Sequence, residues 1–275
     1  MPRAATMTLD ELLRDAIAGS GMFANANVIM QLAWRPIGRG VAESEVDSGR
    51  VELHPLKRAR TTGSYLIVAL LGDEHSREVM RNEVNRQHRG VRSKPESDVE
   101  YNAFDPELQL WVAACLYGGF ACWLELFRGP LSEQQRDELY AHCSRLGTTL
   151  QVGEDMWPAD RAAFTRYWEQ GVRRIEMDDV TRKHLTDLTD FQHLPRAVRW
   201  SFGPLNRFLT LGFLPEEFRR ELGLPWTDRQ QRRFIRTLRV LMKVEPRLPR
   251  RLRHSLLDAY ERSVNRRIAH ERPIV

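Results

Sequence analysis

Cysteine is scarce in this 275-residue chain, and the few present do not pair. Cys115, Cys122 and Cys143 are odd in number and form no C-x-x-C spacing. That argues against a disulfide scaffold or a cysteine zinc site, and it fits a reducing compartment. The N-terminal stretch MPRAATMTLDELL lacks the apolar core of a signal peptide, so a cytoplasmic location is expected. Long apolar runs are lacking too. The longest stretch without a formal charge, Leu108 to Leu124, is slightly short for a bilayer and is interrupted by Gly118-Gly119, so a buried core helix is expected there. The common catalytic spacings do not occur: there is no Glu-x-x-His for a di-iron bundle, no His-Glu-x-x-His, no EF-hand loop and no Gly-x-Ser-x-Gly elbow. Gly38-Arg39-Gly40 has no Lys-Ser or Lys-Thr after it, which excludes a phosphate loop. No set of alternating strands and no internal repeat is visible.

Helix punctuation, by contrast, is plentiful. Thr8 caps a helix to about Ala18, with Asp10 and Glu11 in its first turn. Gly19 to Ala26 reads as a loop, Val28 to Trp34 as a short apolar segment, and Gly38 to Gly49 as an irregular connection. Pro55 at the first helical position and Gly72 as a stop bracket a helix to Leu71. Asp73 to Arg92 reads as one further helix. Lys94-Pro95 marks a polar loop, and Asp105-Pro106 starts the apolar helix through Phe127. Gly129-Pro130 breaks the chain, and Ser132 with Gln135 forms a capping box for a helix to about Leu150. Helices over 158–172, 178–188, 195–211, 215–222, 228–244 and 250–268 complete the chain. The expected fold is all-α, a single globular bundle of roughly ten helices forming one domain.

The net charge is +5, supplied mostly by arginine, which suits an anionic partner without choosing among them. The bias is strongest in the basic helical C-terminal part, 226–275. Its simplest reading is a solvated face. A membrane surface comes second, because arginines over a Phe234, Leu238, Leu241 stripe form an interfacial pattern. Nucleic acid is not expected, since no recognisable binding module is present.

Two polar residues sit on faces that point inward. On a helical period Met80, Val84, His88 and Val91 share one stripe, and Arg92 follows His88 by one turn. An inward histidine needs a partner: a backbone carbonyl or carboxylate on one reading, a metal or haem iron on the other. In the preceding helix Arg58 shares a side with Thr62, Tyr65 or Leu66, and Ala69. A guanidinium there meets either an internal carboxylate or a bound anion. The residue pattern leaves both questions open. Cys115 and Cys122 read as packing thiols, and His142, four residues after Glu138, as a solvated pair.

Three segments taken together, LKRARTTGSY, RNEVNRQHRGVR and YNAFDPELQLWVAACL, resemble the family of the latex-clearing rubber oxygenase and the MpaB oxygenase, from about Asn27 to Trp168. Each motif alone is weak, but their order and spacing are fairly specific. The resemblance implies an all-helical haem b protein in which His88 is the proximal iron ligand, in the setting of His88, Val91 and Arg92. It implies that Arg58 and Thr62 line the haem pocket and that Arg58 and Arg92 face propionates. Where the rubber oxygenase carries a lysine able to reach the distal iron position, this chain has Thr61, so a free or water-filled distal site is implied. Where many relatives carry a histidine in the central helix, this chain has Ala113. The family's proposed acid–base glutamate falls at Glu43 or Glu45. The implied activity is a haem-dependent oxygenase that uses dioxygen on a hydrophobic, alkene-containing isoprenoid or lipid. A non-catalytic haem sensor or carrier, and a helical binding protein without the cofactor, are the alternatives.

Overall fold

The computed structural model describes residues 4–46 and 50–274. Among these the only β-type pairing is an isolated bridge between Arg92 and Asn102, and all other regular structure is helical. The all-α expectation holds, with more helices than anticipated. The capping signals explain most of the boundaries. Thr8 and Glu11 form a reciprocal capping box on α1 (Leu9–Gly19), and Pro55 occupies the first turn of α4 (Pro55–Leu71). Asp73 caps α5 (Glu74–His88), and Asp105 caps α6 (Pro106–Arg128).

The extra helices have identifiable causes. Residues read as a loop and a glycine-containing connection form α2 (Ala24–Leu32) and α3 (Arg35–Ala42). Gly38 looked like a loop signal, but here it marks a close helix crossing: a Cβ at Gly38 would lie 2.4 Å from Thr181 Cγ2. Residues 47–49, the end of that connection, lie outside the described residues. The segment expected to be one helix from Glu133 divides into α7 (Glu133–Cys143) and α8 (Arg145–Thr148).

α9 (Arg161–Arg173), α10 (Asp179–Thr189), α11 (Arg196–Phe213), α12 (Glu216–Leu222) and α13 (Asp228–Val244) follow the expected spans within a few residues. The last expected helix divides into α14 (Arg250–Arg253) and α15 (Ser255–Ala269). α5 is shorter than expected. It ends at His88, and Val91 and Arg92 lie in the extended segment beyond it.

α6 is the axis of the fold. Ala113, Tyr117, Phe120 and Leu124 face one core, shared with α1, α4 and α7, while Trp111 and Cys115 face a second core with α2, Leu185 and Phe218. It is the one helix among the described residues long and apolar enough to cross a membrane, and here it lies in the middle of the packing. Gly119 allows α2 to approach: a Cβ there would sit 2.6 Å from the Phe23 ring and 2.7 Å from Asn27 Nδ2. The neighbour that this glycine admits is a helix. Asn27, buried against it, donates to the carbonyl of Cys115 at 2.7 Å, which satisfies an amide that would be costly if left unpaired.

The two ends of the chain are sewn together. Asp15 of α1 accepts from His254 Nε2 at 2.5 Å and pairs with Arg128 at the end of α6, while Arg128 forms a bidentate pair with Glu245 at 2.6 and 2.9 Å. Arg14 makes a second bidentate pair, with Glu261 of α15. Burial pushes the Asp15 carboxyl up, but the bonds from His254 and Arg128 outweigh this and hold it at about 2.

Candidate functional site

A cavity of about 300 Å³ lies where α2, α3, α4, α5 and α6 converge. Its walls are mainly aliphatic: Leu32 and Ile37 from α2 and α3, Val84 from α5, Leu108 and Val112 from α6, and Leu146 and Leu150 from α8 and its exit. That volume is at the lower end of small-molecule sites, and the mix of apolar walls with a few polar groups is their usual composition. The charged and ionisable groups at its wall come mainly from two helices. α4 contributes Lys57, Arg58, Thr61 and Tyr65, and α5 contributes Gln87 and His88.

His88 is the last residue of α5. Its imidazole lines the cavity, with the edge-on ring of Phe104 6.3 Å away. Its Nδ1 is buried and has no hydrogen-bond partner. Burial, with the Arg58 charge second, holds the ring at about 4, so it is neutral at physiological pH. The negative end of the α5 dipole favours an imidazolium at this position, and desolvation wins over it. The carbonyl or carboxylate partner allowed by the sequence is therefore absent among the described residues. A neutral imidazole with an unused nitrogen is the form that binds metals.

Arg58 is similar in character. It is half-buried in the cavity wall, desolvation there lowers its pKa, and it forms no ion pair among the described residues. No internal carboxylate neutralises it among those residues, which leaves the bound-anion reading in place. On α4 the cavity-facing residues are Arg58, Thr61 and Tyr65, spaced i, i+3, i+7. Thr62 is exposed and does not line the cavity. Arg92 is also exposed and outside the lining, in the bridge with Asn102 beyond the end of α5.

Several lining groups went unread in the sequence. Tyr101 lines the cavity, donates its hydroxyl to Glu43 at 2.9 Å, and is pushed up to about 12 by burial and then by that bond. Glu43 is also 3.0 Å from Arg39, and Glu45 pairs with Lys94, so both candidate glutamates are engaged and neither lines the cavity. Gln109 is fixed by Ala103 and Gln151, and Gln31 donates to Asn27 at 2.6 Å. The YNAFDPE segment was the available signal for Tyr101. Its polar residues were read as loop, although they precede the strongest helix start in the chain.

His142, expected to be solvated, is half-buried with Nε2 2.7 Å from the carbonyl of Leu70. The Cys115 and Cys143 thiols are buried and pushed well up, hence unreactive, whereas Cys122 is exposed.

No group of three or more His, Cys, Asp or Glu able to hold a metal occurs among the described residues. His88 alone is too few ligands for a bare ion, which takes about four from the protein. It suffices as an axial ligand to an iron whose other positions a porphyrin fills.

A family model described as the ER-bound oxygenase mpaB/B'/rubber oxygenase catalytic domain matches residues 14–244. The chain belongs to this family. The match takes in α2 to α6 and the whole cavity, so the chain carries an oxygenase-family catalytic domain. Two relatives, each described only as an uncharacterized protein, come from Mycobacterium bovis and Mycobacterium tuberculosis. Each is 48% identical over 250 residues, covering 91% of this chain and 98% of the relative. No solved structure matches.

Proposed function

We propose that this protein is a haem b-dependent oxygenase acting on a hydrophobic, alkene-containing substrate of the isoprenoid or lipid kind, and that it works in the cytoplasm. The observation that carries the proposal is the pairing, in one largely apolar cavity, of a neutral imidazole whose Nδ1 is unpartnered with a half-buried guanidinium that has no carboxylate among the described residues. A haem b group needs both kinds of residue: a nitrogen ligand for iron and a positive group for a propionate.

His88 would hold the haem iron through its imidazole, kept neutral by its surroundings. Arg58 would neutralise a propionate, and Lys57 lies beside it in the same wall. When bound, haem b supplies an iron centre able to activate dioxygen. The protein supplies the rest. Leu108, Val112 and Ile37 exclude water and accept an apolar chain. Thr61 offers a hydroxyl, a poor iron ligand, in place of a lysine. Tyr101, held by Glu43, keeps its proton at neutral pH and presents a fixed phenol at the wall. In this reading Arg92 and Thr62 lie outside the lining, and the contacts to the group fall to Arg58, Thr61 and His88.

The test is the visible absorption spectrum of the purified protein, oxidised and reduced, beside His88→Ala. The expected outcome is a Soret band in the parent that is lost or shifted in the variant. A parent that shows no Soret band, even after haemin is supplied, rules the proposal out.

A further inference from the structure

α11 is built inside out. Over its first turns the apolar side chains point away from the protein: Trp200 is 76% exposed, Phe202 58% and Leu205 53%. The polar side chains of the same helix hold it to the body. Asn206 donates to the carbonyl of Thr189 and accepts from Asn25, each at 2.8 Å, and Arg207 Nη1 donates to both carboxylate oxygens of Asp190. On a helical wheel Arg199, Gly203 and Asn206 cluster on one side, and Trp200, Leu205 and Phe202 spread around the remaining circumference. A helix that only completed a soluble fold would present the reverse arrangement.

The α11 segment itself carries arginine and no acid. From Phe191 to Pro215 there is no aspartate or glutamate. α13 packs on the second half of α11 through Phe234, whose ring stands 5.1 Å from Phe213 and 6.1 Å from Phe208. α13 turns Arg229, Arg232, Arg233, Arg236 and Arg239 to solvent. Exposed tryptophan and phenylalanine on one helix, with clustered arginine on the helix packed against its second half, are the components of an anionic-bilayer interface: apolar groups enter the acyl boundary and guanidinium groups meet phosphates.

The segment just before α11 lies near the segment that leads into α4. Glu52 lies 3.0 Å from His184, and Val51 and Glu52 share a surface depression with Gln192 and His193, just before α11. The chain then runs through Leu53 and Leu56, 49% and 85% exposed, into Lys57 and Arg58 of the cavity wall.

We infer that the outward face of α11 (Trp200, Phe202, Leu205) is a membrane-docking surface for anionic lipid, with the arginines of α13 as its electrostatic partner. This moves the contact expected of the C-terminal basic helix alone to a composite in which α11 inserts and α13 attracts. The inference stands on the surface and does not depend on what the cavity binds.

The experiment is flotation of the full-length protein with phosphatidylcholine vesicles, with and without phosphatidylglycerol, at low and high salt. Tryptophan quenching by brominated acyl chains is read in parallel. The protein is expected to float with anionic vesicles at low salt and to be quenched. Trp200→Ser with Phe202→Ser should weaken binding about a hundredfold or more, since each ring removed from the acyl boundary is worth at least about tenfold. Both positions are exposed, and an unchanged circular-dichroism melt shows that the fold is intact. Gln in place of Arg232, Arg233 and Arg236 should remove the dependence on phosphatidylglycerol and salt. Absence of flotation at low salt overturns the inference. So does a parent that is a stable dimer in solution and becomes monomeric in the Trp200/Phe202 variant, because a second copy then covers the face.

Discussion

His88 and Arg58 are both held at a thermodynamic cost. A neutral histidine whose folded pKa is near 4, against about 6.5 unfolded, contributes stability that is fully present above pH 6.5. That stability is lost as the pH falls through about 4, because only the unfolded chain takes up the proton. The loss amounts to at most about 3 kcal/mol. Thermal melts of the cofactor-free protein between pH 7 and pH 4 should show this fall, and His88→Leu should flatten it. Asp15 acts in a lower window. Its carboxyl sits at about 2, so its contribution is present above pH 4 and fades only below that. The two slopes are therefore separable in one acid titration. Arg58→Met should leave the cofactor-free protein as stable as the parent or more stable by about 1–3 kcal/mol, since it removes a half-buried charge without a partner. The same change should deplete bound haem. A drop in the melting temperature of the cofactor-free variant would mean that Arg58 has an internal role.

At the scale of elements, the cavity depends on how closely α2 meets α6. Gly119→Ala would place a methyl group against Phe23 and Asn27, displacing the amide that caps the Cys115 carbonyl and steadies Gln31 in the cavity wall. A destabilisation of about 1–3 kcal/mol is expected in denaturant titrations, although alanine is the better helix former. Much of this architecture was legible in the sequence. Thr8, Pro55, Asp73 and Asp105 announced four helix starts because caps and N-terminal prolines act locally. α3 was hidden because Gly38 serves a long-range contact with Thr181, and sequence spacing does not reveal a partner that lies far along the chain. The end of α5 was missed by one turn, and with it the place of Arg92. The wheel of α4 put Thr62 beside Arg58, whereas the real cavity face runs through Thr61 and Tyr65. His88 was found from its apolar stripe, but whether it had a protein partner was decided only by the packing around it. The outward face of α11 was not legible at all. An amphipathic period states that a helix has an apolar side and not which way that side is turned.

At the scale of the whole molecule, the buried cluster of Asp15, Arg128, Glu245, Arg253 and His254 ties the first helix to the end of α6 and to the C-terminal helices. Asp15→Ala takes the acceptor from His254 and leaves Arg128 and Arg253 to share Glu245 alone, and a loss of about 3 kcal/mol is expected. Urea titration of the variant checks this, and a change below about 1 kcal/mol would show that the cluster is solvated in practice. Far from the cavity, this cluster should still affect it, because α4 is braced from outside by α15. Tyr260 covers Gly63, and Val264 and Ile274 pack with Val68 and Met80.

That bracing bears on how the chain folds. The wall that carries Arg58 and Thr61 lies early in the sequence, yet its outer support ends in the contact of Ile274 with Glu83, 191 residues apart. Docking of α15 on α4 is therefore a non-local event, and closing that long loop costs entropy before the contact repays it. The cavity wall gains its outer support only once the segments between have found their places.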